Sequence, residues 1–304
     1  MPHSRTNRLT ILAVVAGLSS ATACLDRSNG HRISPEQGYS ETDFTQLLRS
    51  RVDASIRTST GFTFKLHRIT NRNPASDAFG LDIAWIELPA ERLHLRVTQS
   101  GTTESDYGAA FEQLADPEDQ ALLTGGYWVQ RNIPAKDSEG KDTIKSIEDP
   151  LGLVIVNYKT LSPFLRDMGG GVVFDSKSGV NIQPSFAAEE FTNEMINAIQ
   201  CKPLLVDEGR TAMISDDHQR DDRLAIGLTA SRTVVVLLAL HPHGAFTLYE
   251  LANFLLMPAE SNGIACVRAL NLDGGPNPHL YVPSLNLHFG RKGSGHLNNI
   301  IHLR

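Results

Sequence analysis

Apolar and polar positions follow three rhythms along the chain. Strict alternation runs through Thr60–Arg68 and Asp82–Val97, with Leu81, Ile83 and Trp85 marking it, and is cleanest in Glu91–Val97; it predicts half-buried antiparallel strands. His67 and His94 fall in these stretches and read as surface strand residues. Unbroken apolar runs at Leu224–Leu228 and Thr233–Leu240 predict two buried strands of one hairpin. Helical spacing joins Phe44, Leu47, Leu48 and Val52 in a first helix from Thr42. It continues in Ser105–Leu123, a helix in two pieces with Ala110, Phe111 and Leu114 on its face and a restart at Asp116-Pro117. Ser185–Ala198 reads as a further helix. Leu248, Leu251, Phe254 and Leu255 form a last one, headed by a Thr247–Glu250 capping box that assigns Glu250 to the helix end rather than to chemistry. Gln130–Asp149 is charged and without rhythm, long enough for a lid or rim. Met213–Asp222 is an acidic loop.

The richest stretch for chemistry is Ile264–Val282, IACVRALNLDGGPNPHLYV. Alternation sends Leu270 and Leu272 to one face and Asn271 and Asp273 to the other. Gly274-Gly275 follow, where positive φ and close backbone approach are open, and Leu280-Tyr281-Val282 resumes a strand. By itself the Asp-Gly pair also suits a hairpin turn. Gly169-Gly170-Gly171 leads into Val172-Val173-Phe174 with no helix after it, so it is not a phosphate-binding P-loop. His241-Pro242-His243 has no third ligand at a recognisable spacing and reads as a turn.

Composition narrows the class. The 304 residues are 41% hydrophobic, with net charge −6; this is an ordinary globular composition that argues against nucleic acid as the partner. Arg5 and Arg8 precede the apolar Leu9–Leu18, and Ala21-Thr22-Ala23-Cys24 follows. That is the layout of a signal peptide with cleavage after Ala23, and Cys24 also fits a bacterial lipoprotein box. Cleavage there removes two arginines and no acid, moving the net charge from −6 to −8. The expected organisation is a signal peptide over 1–23, a tether over 24–40 and one domain over 41–304, in an extracytoplasmic location: lipid-anchored in the cell envelope, or secreted. Cys201 and Cys266 then remain, as a disulfide or as two buried thiols.

The NLDGG block with its preceding ELA helix resembles the signature of the phosphodiester glycosidase family. Further blocks occur in that family's order across Tyr107–Arg304: Thr124-Gly125-Gly126-Tyr127-Trp128, the Pro150–Ile155 strand, Ile199-Gln200-Cys201-Lys202-Pro203-Leu204-Leu205-Val206, Arg223 before Ala225-Ile226-Gly227, and the closing strand Asn298–Leu303. The chain departs from the family pattern at Thr124, where Asn is usual, at Cys201 and Lys202, where Ser and Gly are usual, and at Pro276–Pro278. The resemblance implies an α+β fold, a single domain with a central mixed β-sheet and surrounding helices. It implies hydrolysis of a glycosyl-1-phosphodiester in an envelope polymer or glycolipid; the sequence itself assigns no cofactor and no metal-ligating residues. Asp273 and Arg223 become the catalytic candidates; Asn271, Gly274, Gly275, Gly125, Gly126 and Tyr127 become substrate-binding candidates. For the Gly125-Gly126 pair a plain packing turn stands beside a glycine-lined pocket wall. Asp207, Asp216, Asp217, Asp221 and Asp222 are all open as a second carboxylate. Cys201 and Cys266, each bordering a site block, are expected close together beneath the pocket. The alternative function is a non-catalytic carbohydrate-binding protein on the same fold.

Overall fold

Thr233–Leu240 reads TVVVLLAL because both of its faces are covered: Val234, Val236 and Leu238 pack into one core, and Val235, Leu237 and Ala239 into another. Each such valine or leucine contributes roughly 1.5–3 kcal/mol relative to exposure, so this strand and its neighbours fix the layering. The computed structural model describes residues 38–58, 61–72, 78–102, 107–136, 138, 141–290 and 297–304; the expected signal peptide and most of the tether lie outside them.

An eight-stranded sheet runs in the order Val52–Arg57, Thr63–Thr70, Asp82–Pro89, Thr233–Leu240, Arg223–Thr229, Cys266–Asn271, Leu204–Asp207, Arg210–Thr211. Helices Glu41–Arg49 and Leu248–Leu256 bury Phe44, Leu47, Leu48, Leu251, Phe254 and Leu255 against one face. Two five-stranded sheets cover the other, one built on Gly171–Ser176 and Asn197–Cys201, the other on Ala121–Thr124, His279–Val282 and Leu297–Leu303.

The α+β class holds in outline, with strands dominating. The central mixed sheet ringed by helices is not what forms: every pairing among the described strands is antiparallel, and smaller sheets cover the face opposite those two helices. Val52 is an exposed strand residue, since the first helix stops at Arg49. The second helical piece after Asp116-Pro117 is instead a turn and the strand Ala121–Thr124, whose residues are all buried between two neighbours. Ser185–Ala198 divides into a short helix to Ala188, a 3₁₀ turn to Glu194 and a strand from Asn197. The expected loop at Gln130–Asp149 is a two-stranded ribbon, Trp128–Lys136 on Asp142–Pro150. His67 is buried rather than on the surface: it stacks on Trp85 and its Nδ1 lies 2.8 Å from Asp53 Oδ1. Cys266–Asn271 and His279–Val282 belong to different sheets, so the Asp-Gly segment is a crossing between layers, not a hairpin turn.

Candidate active site

The register of the central strands brings the predicted residues together. Ala225 pairs with Asn271, and Leu272 N–H reaches Leu224 O at 2.9 Å. Arg223 opens its strand beside the segment that follows, its Cα 3.7 Å from where a Gly274 Cβ would sit. On the other side Asn271 N–H donates to Pro203 O at 3.1 Å. Asn271–Gly275 therefore leaves the sheet between the segments that begin at Arg223 and at Lys202-Pro203. The glycines serve a close approach, and what approaches is this chain's own backbone. A Cβ on Gly274 would lie 2.7 Å from Asp222 O; Gly275 has φ +67° and donates its N–H to Asp222 O at 2.9 Å.

Gly125 accepts the Asp273 N–H at 3.0 Å. Gly125 and Gly126 are buried: a Cβ on the first would fall 2.0 Å from Asn299 Oδ1, and on the second 3.1 Å from Cys201 Sγ. They let the strand end seat against Ile199–Cys201 and so aim Tyr127. The Tyr127 hydroxyl donates to Lys202 O at 3.0 Å, and Asn271 Nδ2 donates to that hydroxyl at 2.6 Å and to Lys202 O at 3.2 Å. Thr124, where the family resemblance expects Asn, ties the same region: its hydroxyl donates to Asn277 O at 2.8 Å and accepts His279 N–H at 3.1 Å.

Burial lifts Asp273 from 3.8 to about 6, against one opposing hydrogen bond from Asn277 Nδ2 at 3.2 Å. Burial also pushes the Tyr127 hydroxyl and the Cys201 thiol up, with the Asp273 charge adding to each. Arg223 is lowered by burial, opposed first by Asp221. Rather than pairing with Asp273, Arg223 donates Nε to Phe246 O at 2.9 Å and Nη2 to Gln219 O at 2.8 Å. Its Nη1 is left without a partner among the described residues.

Each of the five other carboxylates has a partner among the described residues. Asp207 pairs with Arg268; Asp216 and Asp217 accept amides of their own loop; buried Asp222 accepts His241 N–H at 2.9 Å. Asp221 Oδ1 accepts the Asp222 N–H at 2.9 Å, while its Oδ2 faces the glycine turn, 3.2 Å from where a Gly275 Cβ would sit. Among the described residues no group of three His, Cys, Asp or Glu side chains could hold a metal.

The expected neighbourhood of Cys201 and Cys266 does not form. Cys201 lies beside Gly126 in the core between sheets; Cys266 opens the far end of its strand, five residues before Asn271, in the core under the helices. At ~3.3 Å per residue that end is roughly 16 Å from the site. Both are free thiols. Two contributors were not singled out from sequence, the Lys202 carbonyl and Asn277. A backbone acceptor leaves no trace in residue type, whereas an Asn just past a glycine turn is a usable signal.

Residues 124–302, which run from the Thr124 block into the last strand, match the family model described as phosphodiester glycosidase. The chain belongs to the phosphodiester glycosidase family. Two solved structures share the fold. One is the zebrafish N-acetylglucosamine-1-phosphodiester alpha-N-acetylglucosaminidase catalytic domain, auto-inhibited by its pro-peptide: 12% identity, 84% of this chain and 82% of that one, TM-score 0.50. The other is a hypothetical protein from Synechocystis: 14% identity, 83% of this chain and 63% of that one, TM-score 0.52. No curated protein matches the chain in sequence. Membership as a phosphodiester glycosidase brings hydrolase chemistry on glycosyl phosphodiesters as the family's activity.

Proposed function

We propose that this phosphodiester glycosidase hydrolyses the bond between an anomeric carbon and a phosphodiester, with Asp273 acting at the sugar and Arg223 at the phosphate. The observation that carries the reading is the convergence of Asp273, Asn271, Tyr127 and Arg223 at one end of the central sheet, with Arg223 Cα 3.7 Å from where a Gly274 Cβ would sit and no ion pair between Arg223 and Asp273 among the described residues. That leaves the Asp273 carboxylate and Nη1 of Arg223 to face the two ends of the scissile bond.

Cleavage breaks the bond from C1 to the phosphate oxygen; that oxygen leaves with the bond electrons, water supplies the hydroxyl to C1, and the water's remaining proton passes to solvent. The sugar passes through an oxocarbenium-like state that a nearby carboxylate stabilises. A phosphate is already a weak base, so its departure needs charge stabilisation more than protonation, and Nη1 of Arg223 suits that role. Asn271 and Tyr127, already hydrogen-bonded to each other, suit sugar hydroxyls.

The test is release of N-acetylglucosamine from a methyl phosphodiester analogue or a UDP-sugar by the purified protein. Sugar binding without release would replace the hydrolase with the carbohydrate-binding reading. The proposed setting is the cell envelope, through cleavage after Ala23 and a lipid on Cys24. Mass spectrometry of membrane-fraction protein decides it: an unmodified Cys24 at the N-terminus rules the lipid out.

A further inference from the structure

Lys202 stands where the family resemblance expects glycine, and it is not idle structure. Its carbonyl is pinned by Tyr127 and Asn271, so its Cα is fixed at the rim of the Asp273 site. Its side chain is exposed and makes no ion pair or hydrogen bond among the described residues. Arg220 and Arg268 pair with Glu250 and Asp207, while the Lys202 ammonium, on a four-carbon stem, has no carboxylate partner among the described residues.

The Gly169-Gly170-Gly171 run, unexplained by any phosphate-loop pattern, belongs to the same place. A Cβ on Gly170 would fall 2.0 Å from Cys201 O, 2.7 Å from Lys202 Cα and 2.8 Å from Lys202 Cβ. The absence of a side chain at Gly170 is what gives Lys202 room. Gly169 and Gly170 both have positive φ, +69° and +70°, and Gly169 has open space where a Cβ would be. Neither amide makes a hydrogen bond among the described residues. Their carbonyls, by contrast, are held by Ser185, through its hydroxyl at 2.6 Å to Gly169 O and its N–H at 3.0 Å to Gly170 O. The turn is therefore anchored by its acceptors, and its two amides are unpaired among the described residues. Arg166, beside the turn, is committed to Glu189.

We propose that Lys202, with the amides of Gly169 and Gly170, forms an anion subsite beside the Asp273 site that binds a second phosphate group of the substrate. An ammonium and two unpaired backbone N–H groups are the donors that phosphate oxygens take. The inference rests on the glycosyl phosphodiester reading and narrows it: the alcohol side of the diester carries another phosphate, as in a repeating phosphodiester polymer. Arg223 then serves the scissile phosphate and Lys202 the next one.

Titration calorimetry on the whole protein compares four ligands: inorganic phosphate, pyrophosphate, a methyl glycosyl phosphodiester, and the same glycosyl phosphodiester with a phosphomonoester on its alcohol. The second phosphate is expected to tighten binding roughly tenfold, as one charge-assisted contact allows. Lys202→Met should erase most of that gain, and Lys202→Arg should restore it. Equal affinity for the two diesters, or a gain that survives in Lys202→Met, overturns the subsite. Inorganic phosphate or pyrophosphate binding as tightly as the two-phosphate diester assigns the donors to a free anion and overturns their link to the sugar. A protein that shows the gain yet cleaves neither diester keeps the subsite and loses the hydrolase.

Discussion

Asp273 sits in an environment that disfavours its charge, and this has consequences at two levels. Its folded value of about 6 lies above its ordinary 3.8. The stability it contributes is fully present below about pH 4 and is lost as pH rises through about 6, because the native state holds the proton longer than the unfolded chain. Two units amount to at most about 3 kcal/mol, less after solvent screening. Asp273→Asn should then melt a few degrees above wild type at pH 7.5 and level with it at pH 4. A variant that melts lower at pH 7.5 would remove burial as the cause of the shift. The same substitution should lower turnover by on the order of 10²–10⁴, and wild-type turnover should rise with pH through about 6. Near-wild-type turnover in Asp273→Asn would return the Asp-Gly pair to a structural turn. Arg223→Lys keeps a charge but loses the donors to Phe246 O and Gln219 O together with the free Nη1. Its KM for a methyl diester should rise roughly tenfold while affinity for the free sugar stays level; a matching loss for the sugar would mean that Arg223 only holds the loop.

At the scale of elements, the sequence was most readable where both faces of a strand are buried. Leu224–Leu228 and Thr233–Leu240 needed only their apolar runs, and the Thr247–Glu250 capping box forms as its spacing implies, at 3.1 Å and 2.9 Å. What spacing could not show is that the same Glu250 also takes the Tyr39 N–H at 2.7 Å and an ion pair from Arg220, three residues before Arg223. Those partners come from distant segments, and no local pattern encodes them. The ribbon Trp128–Lys136 was unreadable for another reason: it pairs only with Asp142–Pro150 in a two-stranded sheet of its own, and its charged sequence carries neither alternation nor an apolar run. Ala121–Thr124 misled because a short, wholly buried strand and a buried helical turn share one composition. Gly125 and Gly126 were legible as glycines but not in purpose, since their neighbour Asn299 comes from the last strand. Gly125→Ala would drive a Cβ to 2.0 Å from Asn299 Oδ1. It is expected to destabilise the fold by about 1–3 kcal/mol in urea unfolding and to slow turnover by shifting the Asp273 N–H from Gly125 O. A variant of unchanged midpoint would show that the junction yields freely.

For the molecule as a whole, the layering sorts chemistry to opposite ends of one sheet. Asp273, Arg223 and Lys202 gather at the Asn271 end of its strand; at the other end, near Thr229 and Ile264, lies a groove of about 650 Å³ lined by Asp53, His67 and Glu87. The site blocks spread over Thr124–Leu303 meet only because antiparallel neighbours bring distant segments edge to edge. The cysteines measure that layering. Each borders a site block in sequence, which is why proximity was expected. A strand, however, carries residues through some 16 Å in five steps, and Cys201 and Cys266 also lie on opposite sides of the large sheet. A disulfide needs Cα atoms within about 7 Å, so none can form without tearing the sheet. Burial pushes both thiols well above the ordinary range, which keeps them protonated and unreactive. The native protein should therefore resist thiol labelling at both positions. In denaturant both should label fully, with or without prior reduction, each identified by peptide mass. A peptide pair linked Cys201 to Cys266 in unreduced protein would contradict this separation, and with it the arrangement of the two cores on either side of the sheet.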